Sequence, residues 1–172
     1  MSHLEASAIA WTARLAVAAF LARLLIDVSQ ADRQRSGRTA RIIWTTGGVT
    51  FLLHVVAAFH FTHGWSHHAA YEHTAQQTLA VTGFNWGGGL WFNYVFTLLW
   101  ITDVAGWWII GPEFPRRHPR WSSTVRWTFA FMMVNATVVF GPPYWKWLAG
   151  AFAATWLLLR WRQQPLRGEQ CD

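Results

Sequence analysis

The sequence predicts an all-α integral membrane protein, a bundle of five transmembrane helices with a short amphipathic helix in one connecting loop. Three observations carry this prediction. Charged residues make up only 13% of the 172-residue chain and apolar residues 53%, whereas a soluble domain carries roughly 25% charged residues. There are 14 tryptophans, and an indole N–H beside a large apolar body suits the headgroup layers of a bilayer. The arginines fall in three short clusters between apolar runs, which is the positive-inside pattern of membrane insertion.

The first apolar run, residues 6–28, is long enough to cross a hydrocarbon core of ~30 Å at about 1.5 Å per residue. It holds Arg14, Arg23 and Asp27, and it lacks the basic start and small-residue cleavage site of a signal peptide. A loop with Arg33, Arg35, Arg38 and Arg41 leads to the second run, residues 42–61. Residues 62–89 then form a loop free of Lys and Arg, in which Ser66 is the expected N-cap of a helix reaching about Val81. Gly87, Gly88 and Gly89 let the chain turn back. The third run, residues 90–110, stops at Gly111-Pro112 before a loop holding Arg116, Arg117, His118 and Arg120. The fourth, 122–140, stops at Gly141-Pro142-Pro143, and the fifth, 144–161, leads into a tail with Arg160, Arg162 and Arg167.

Alternating five spans places all three arginine clusters on one side, which the positive-inside rule makes cytoplasmic. The N-terminus and the 62–89 loop then lie outside, in the topology expected of a bacterial inner (plasma) membrane protein. Joining the fourth and fifth runs into one broken helix would put Arg160 and Arg162 with the histidines, against that rule. The net charge of +6 does not indicate nucleic acid, because the arginines fall in three short clusters flanking apolar runs and not on one basic face or in one long basic tail. With Cys171 as the only cysteine, neither an intrachain disulfide nor a thiolate metal site can form.

Chemistry concentrates in one place. Six of the eight histidines lie between His54 and His73, and imidazole is the commonest transition-metal ligand. If the second helix continued into the loop, His60, His63, His67 and Tyr71 would share a stripe about 80° wide, with His68 and Glu72 beside it. A break at Gly64 would instead fold His67 and His68 back over His60 and His63. Either way the candidate ligands are His60, His63, His67, His68, Glu72 and His73. An imidazole-plus-carboxylate set favours Zn, Cu or Fe as divalent ions. Haem is the harder cofactor to accommodate, because the other four spans contain no histidine to hold it from a second helix. His54 reads first as a hydrogen-bonded packing residue and second as a cofactor ligand.

Polar groups inside the spans need partners, since an ionisable side chain in hydrocarbon costs at least ~2.5 kcal/mol. Arg23 and Asp27 are spaced i, i+4 for pairing. Arg14 is expected at the depth of His54 and Asn135, in one polar layer, and Asp103 is expected to share Arg23 with Asp27. Two functional classes follow. One is a metal- or haem-binding membrane protein doing redox or metal-handling chemistry on its outer face. The other is a non-catalytic subunit of a larger membrane complex or homo-oligomer. A proton-coupled transporter using Asp103 and Arg14 is a weaker third, because no repeat or pair of broken helices marks a substrate site.

Overall fold

The computed structural model describes residues 2–29 and 33–163; Cys171 and Arg167 lie outside the described residues. The described chain is helical with no strand: α1 (His3–Ser29), α2 (Arg33–Phe61), α3 (His67–Thr82), α4 (Gly89–Ile109), α5 (Phe114–Arg117), α6 (Pro119–Val134), a π-helical turn (Asn135–Val139) and α7 (Tyr144–Gln163). Within α1 and α2, the stretches His3–Val28 and Gly37–Phe61 are by length and composition able to cross a membrane. At about 1.5 Å per residue, their 26 and 25 residues exceed the ~30 Å hydrocarbon core.

Helix ends follow local chemistry. Ser2 and Glu5 cap α1 reciprocally: the Ser2 amide donates to Glu5 Oε2 at 2.6 Å, and the Glu5 amide donates to Ser2 Oγ at 3.3 Å. This Ser-x-x-Glu box starts α1 three residues before the expected span. The helix α2 begins at Arg33 rather than at 42, so its arginine cluster extends a helix instead of occupying a loop; the arginines and glutamine there are good helix formers. Ser66 caps α3 as expected, accepting from the Ala69 amide at 3.2 Å, and Gly83, in the left-handed region at φ 81°, ends it. The expected loop after Gly111 contains α5, and α6 already starts at Pro119, where proline suits the first helical turn.

The helices α1 and α2 pack along their length as an antiparallel pair; α4 lies against α2, α6 against α4, and α7 against α1 and the π-helical turn. Close approach is built in at Gly47 and Gly48. A methyl at Gly47 would stand 2.8 Å from Ala19 Cβ and 2.9 Å from Trp100 Cζ2, and one at Gly48 would stand 3.2 Å from Trp100 Nε1. Into that space fits an aromatic stack: Phe129, fully buried, lies 4.3 Å from Phe96, 4.7 Å from Trp44 and 4.8 Å from Trp100 between ring centres. Phe51 closes the stack on its histidine side, 5.0 Å from Phe96 and 5.4 Å from Trp100. The tryptophans thus divide into two sets. Trp44, Trp100 and Trp107 are core residues, while Trp11, Trp127, Trp147 and Trp161 face outward.

Candidate functional site

At the histidine end, the chain leaves α2 through a tight reversal. Gly64 (φ 54°) and Trp65 (φ 61°) are both left-handed, an unfavourable state for a tryptophan. The break at Gly64 is therefore real, but it does not gather four imidazoles. The return path of α3 brings His73, not His67 or His68, to His63, and their rings meet edge to face with centres 5.3 Å apart. Gln77 Nε2 sits 2.9 Å from His73 Nε2. His67 contacts the Tyr94 hydroxyl through Nδ1 at 3.0 Å and packs against Trp91. His68 faces outward and pairs with Glu72 at 3.3 Å, and His60 Nδ1 accepts the Trp65 indole N–H at 3.2 Å. Among the described residues no three His, Cys, Asp or Glu side chains converge closely enough to hold a metal ion. The cause is helical geometry: along α3, successive side chains turn by about 100°, so His67, His68 and His73 leave the helix in different directions.

The His63–His73 pair stands at the rim of a cavity of about 450 Å³. Its walls come from α1, α2 and α4, and α3 roofs it, with Ala70 and Ala75 on its buried face. His54 lies on its inner side, where His54 Nδ1 is 3.0 Å from the Ile9 carbonyl oxygen. A carbonyl only accepts, so Nδ1 carries the proton and Nε2 keeps its lone pair. At the rim, partial burial first, and the neighbouring His73 second, push the His63 pKa below the ordinary imidazole value. Tyr94, Gln77 and Asn93 share this cavity and escaped the sequence reading, since nothing in a single chain marks residues that meet only when α3 folds over α4.

The expected polar layer does not form. Arg14 donates to the Tyr144 hydroxyl at 3.2 Å and lies over the Trp11 ring at 5.0 Å. The Asn135 amide donates to the Phe131 carbonyl of its own helix at 2.8 Å, just where the backbone widens into the π-helical turn and the Phe140 amide reaches back to the Asn135 carbonyl at 2.9 Å. Sequence spacing fixes depth along a helix but not which way the helix faces, and these three side chains diverge.

Asp103 lies on α4 near the opposite end and is only 5% exposed. Three indole N–H groups converge on its carboxylate: Trp44 and Trp107 donate to Oδ2 at 2.8 and 3.2 Å, and Trp121 donates to Oδ1 at 2.8 Å. Arg23 forms an ion pair with Asp27, as the i, i+4 spacing predicts, and its guanidinium covers the Trp107 ring at 4.8 Å. Arg23, Asp27 and Asp103 line one small cavity of about 60 Å³ with Arg126 of α6, so the expected association is by shared cavity, while the direct hydrogen bonds to Asp103 come from tryptophan. The Asp103–Trp107 spacing of four was a usable signal; the partners on α2 and α6 were not. No family model, no curated protein and no solved structure matches the chain.

Proposed function

We propose that this chain is a five-span protein of a bacterial inner membrane whose outer face binds a divalent transition metal, zinc, copper or iron, at His63 and His73, for redox or metal-handling chemistry. The observation that carries the reading is the pairing of these two imidazoles across the cavity rim at 5.3 Å between ring centres. Metal–nitrogen bonds of about 2.0–2.1 Å at a tetrahedral angle put two ring centres about 5 Å apart, so the spacing suits one shared ion once the rings turn from their edge-to-face contact and each presents a nitrogen lone pair to it. Water and Gln77 are the neighbours able to complete the coordination. The side assignment is supported by charge: Arg38, Arg41, Arg116, Arg117 and Arg120 all belong to the end of the bundle away from the His63–His73 pair.

The test is a titration of the purified protein in nanodiscs with Cu(II), Zn(II) and Co(II), followed by calorimetry, with nitrogen hyperfine structure in the Cu(II) EPR spectrum. One ion should bind with signatures of two imidazoles, and His63→Ala or His73→Ala should each weaken it at least tenfold. His68→Ala and His118→Ala should leave it unchanged. Retention of full metal by the His63→Ala/His73→Ala double variant would overturn the reading. A second reading, a non-catalytic subunit, is supported by the outward rings on α7, where Trp147 and Trp161 are 83% and 71% exposed; metal-free protein that purifies only with other chains is its expected result.

A further inference from the structure

We propose that the cavity beneath the His63–His73 rim binds a neutral, membrane-dissolved amphiphile whose flat, ring-sized head carries a hydroxyl group, of the phenol or quinol class. Its volume, about 450 Å³, falls in the range of small-molecule sites, roughly 300–1,000 Å³. No Asp, Glu, Lys or Arg lines it, and a charged head would therefore be buried unpaired at high cost. Small or apolar side chains, among them Ala6, Ile9, Ala10, Val55 and Ala58, open the space and furnish a lipid-like wall. Phe51, Phe59 and Tyr94 add aromatic faces against which a flat ring can lie.

Hydrogen-bond accounting at the inner end selects the head group. His54 has committed its Nδ1 proton to the Ile9 carbonyl, and its Nε2, without a hydrogen-bond partner among the described residues, can only accept. Thr97 has committed its hydroxyl proton to the Asn93 carbonyl at 2.7 Å, which leaves Oγ1 accepting too. Two acceptors lining the same cavity are satisfied by a ligand that donates. A hydroxyl does so; the carbonyls of a quinone, the esters of a phospholipid and an ether do not. From Thr62 at the rim to Phe51 at the inner end the cavity follows α2 for eleven residues, about 16 Å, a depth reached more readily from the bilayer than from water.

This inference rests on the membrane-spanning part of the proposed function and not on the metal. It is tested on protein in nanodiscs, with chelator present, by equilibrium titration with a short-chain ubiquinol, the corresponding ubiquinone and the ubiquinol dimethyl ether. A diacylglycerol arm distinguishes a ring from a lipid hydroxyl as the source of the donor. The quinol is expected to bind saturably, and the quinone, ether and diacylglycerol each at least tenfold more weakly, about the loss from one unmade buried hydrogen bond. His54→Phe should erase the preference for quinol over ether, and Ala10→Phe should fill the cavity and abolish binding of both. Equal binding of quinol and ether by the unmodified protein, or binding of neither, overturns the proposal whatever the variants do. A His63→Ala protein that loses metal but keeps the quinol preference separates the failure of one reading from that of the other.

Discussion

Replacing Asp103 by asparagine should destabilise the bundle by about 2–4 kcal/mol. Asparagine keeps the shape and one acceptor oxygen. If that oxygen takes the Oδ2 position, Trp44 and Trp107 keep their hydrogen bonds, but as neutral ones. A bond to a charged group contributes about 1.5–3 kcal/mol against about 0.5–1.5 for a neutral one, so each weakens by about 1 kcal/mol. At the Oδ1 position the new amide faces the Trp121 indole donor to donor. An orphaned donor costs about 1–3 kcal/mol, discounted here because Trp121 is only half-buried and can find water. Interhelical hydrogen bonds in membranes average about 0.6 kcal/mol, which draws the expected loss toward the lower end of this range. Removing a buried charge also relieves its desolvation, yet three N–H donors already solvate this carboxylate, and breaking such a set by removing one partner is normally costly. The assay is reversible SDS-driven unfolding in mixed micelles, followed by tryptophan fluorescence, in a double-mutant cycle with Trp121→Phe. Asp103→Asn should shift the unfolding constant by about 30-fold or more, and Trp121→Phe should cost clearly less in the asparagine background than in the unmodified chain. An asparagine variant as stable as the original, with an additive cycle, would refute the reasoning.

Three further outcomes are expected. Gly47→Leu should lower the thermal midpoint sharply in differential scanning fluorimetry and Gly47→Ala less so, because even a methyl meets Ala19 Cβ at 2.8 Å and the Trp100 ring at 2.9 Å; overpacking of this kind costs about 1–3 kcal/mol. In metal-free protein the His63 ring should titrate by NMR below ~6.5, and His73→Ala should move its midpoint upward by removing the neighbouring charge. Since the lowered pKa means that the unfolded chain binds the proton first, this group's contribution to stability should fall as pH drops from ~6.5 and be fully lost below the folded-state pKa; a midpoint at or above the free imidazole value refutes this. A cysteine placed at Ser66 in a Cys171→Ser background should be labelled by an impermeant maleimide from the extracytoplasmic side, and labelling only from the cytoplasm would reverse the proposed orientation.

What the sequence disclosed depends on the range of the interaction. The Ser66 cap and the Arg23–Asp27 pair are each settled within five residues and are readable, while the break at Gly64 is one of two alternatives that the sequence leaves open and the stop at Gly83 is disclosed by the structure. The Ser2–Glu5 box is equally local, a Ser-x-x-Glu signature lying just ahead of the first apolar run. Arginine near an apolar run reads as a loop at the end of a helix, whereas α2 simply continues through Gly37, Arg38 and Arg41. Relations between helices were not readable, because rise per residue gives depth and says nothing about rotation. Arg14 therefore meets Tyr144 instead of Asn135, and His63 meets His73 across a reversal whose direction is set by two left-handed residues. Composition misled in one respect: tryptophan counts pointed to the bilayer interfaces, while three indoles are spent on a single carboxylate.

The aromatic stack of Phe51, Phe96, Trp100, Phe129 and Trp44 lies between the histidine-end cavity and the small cavity at Asp103. It works as a gasket. Trp100 is also tethered, its indole N–H donating to the Trp44 carbonyl at 3.2 Å, so opening the seal means breaking that bond and unseating a ring wedged against Gly47 and Gly48. Packed rings therefore stand between the two cavities: Phe51 lines the histidine-end cavity, and Trp44 and Phe129 line the one at Asp103. Helices α2 and α4 line both cavities, so a change of packing at one end is felt at the other through these two helices and the rings wedged between them.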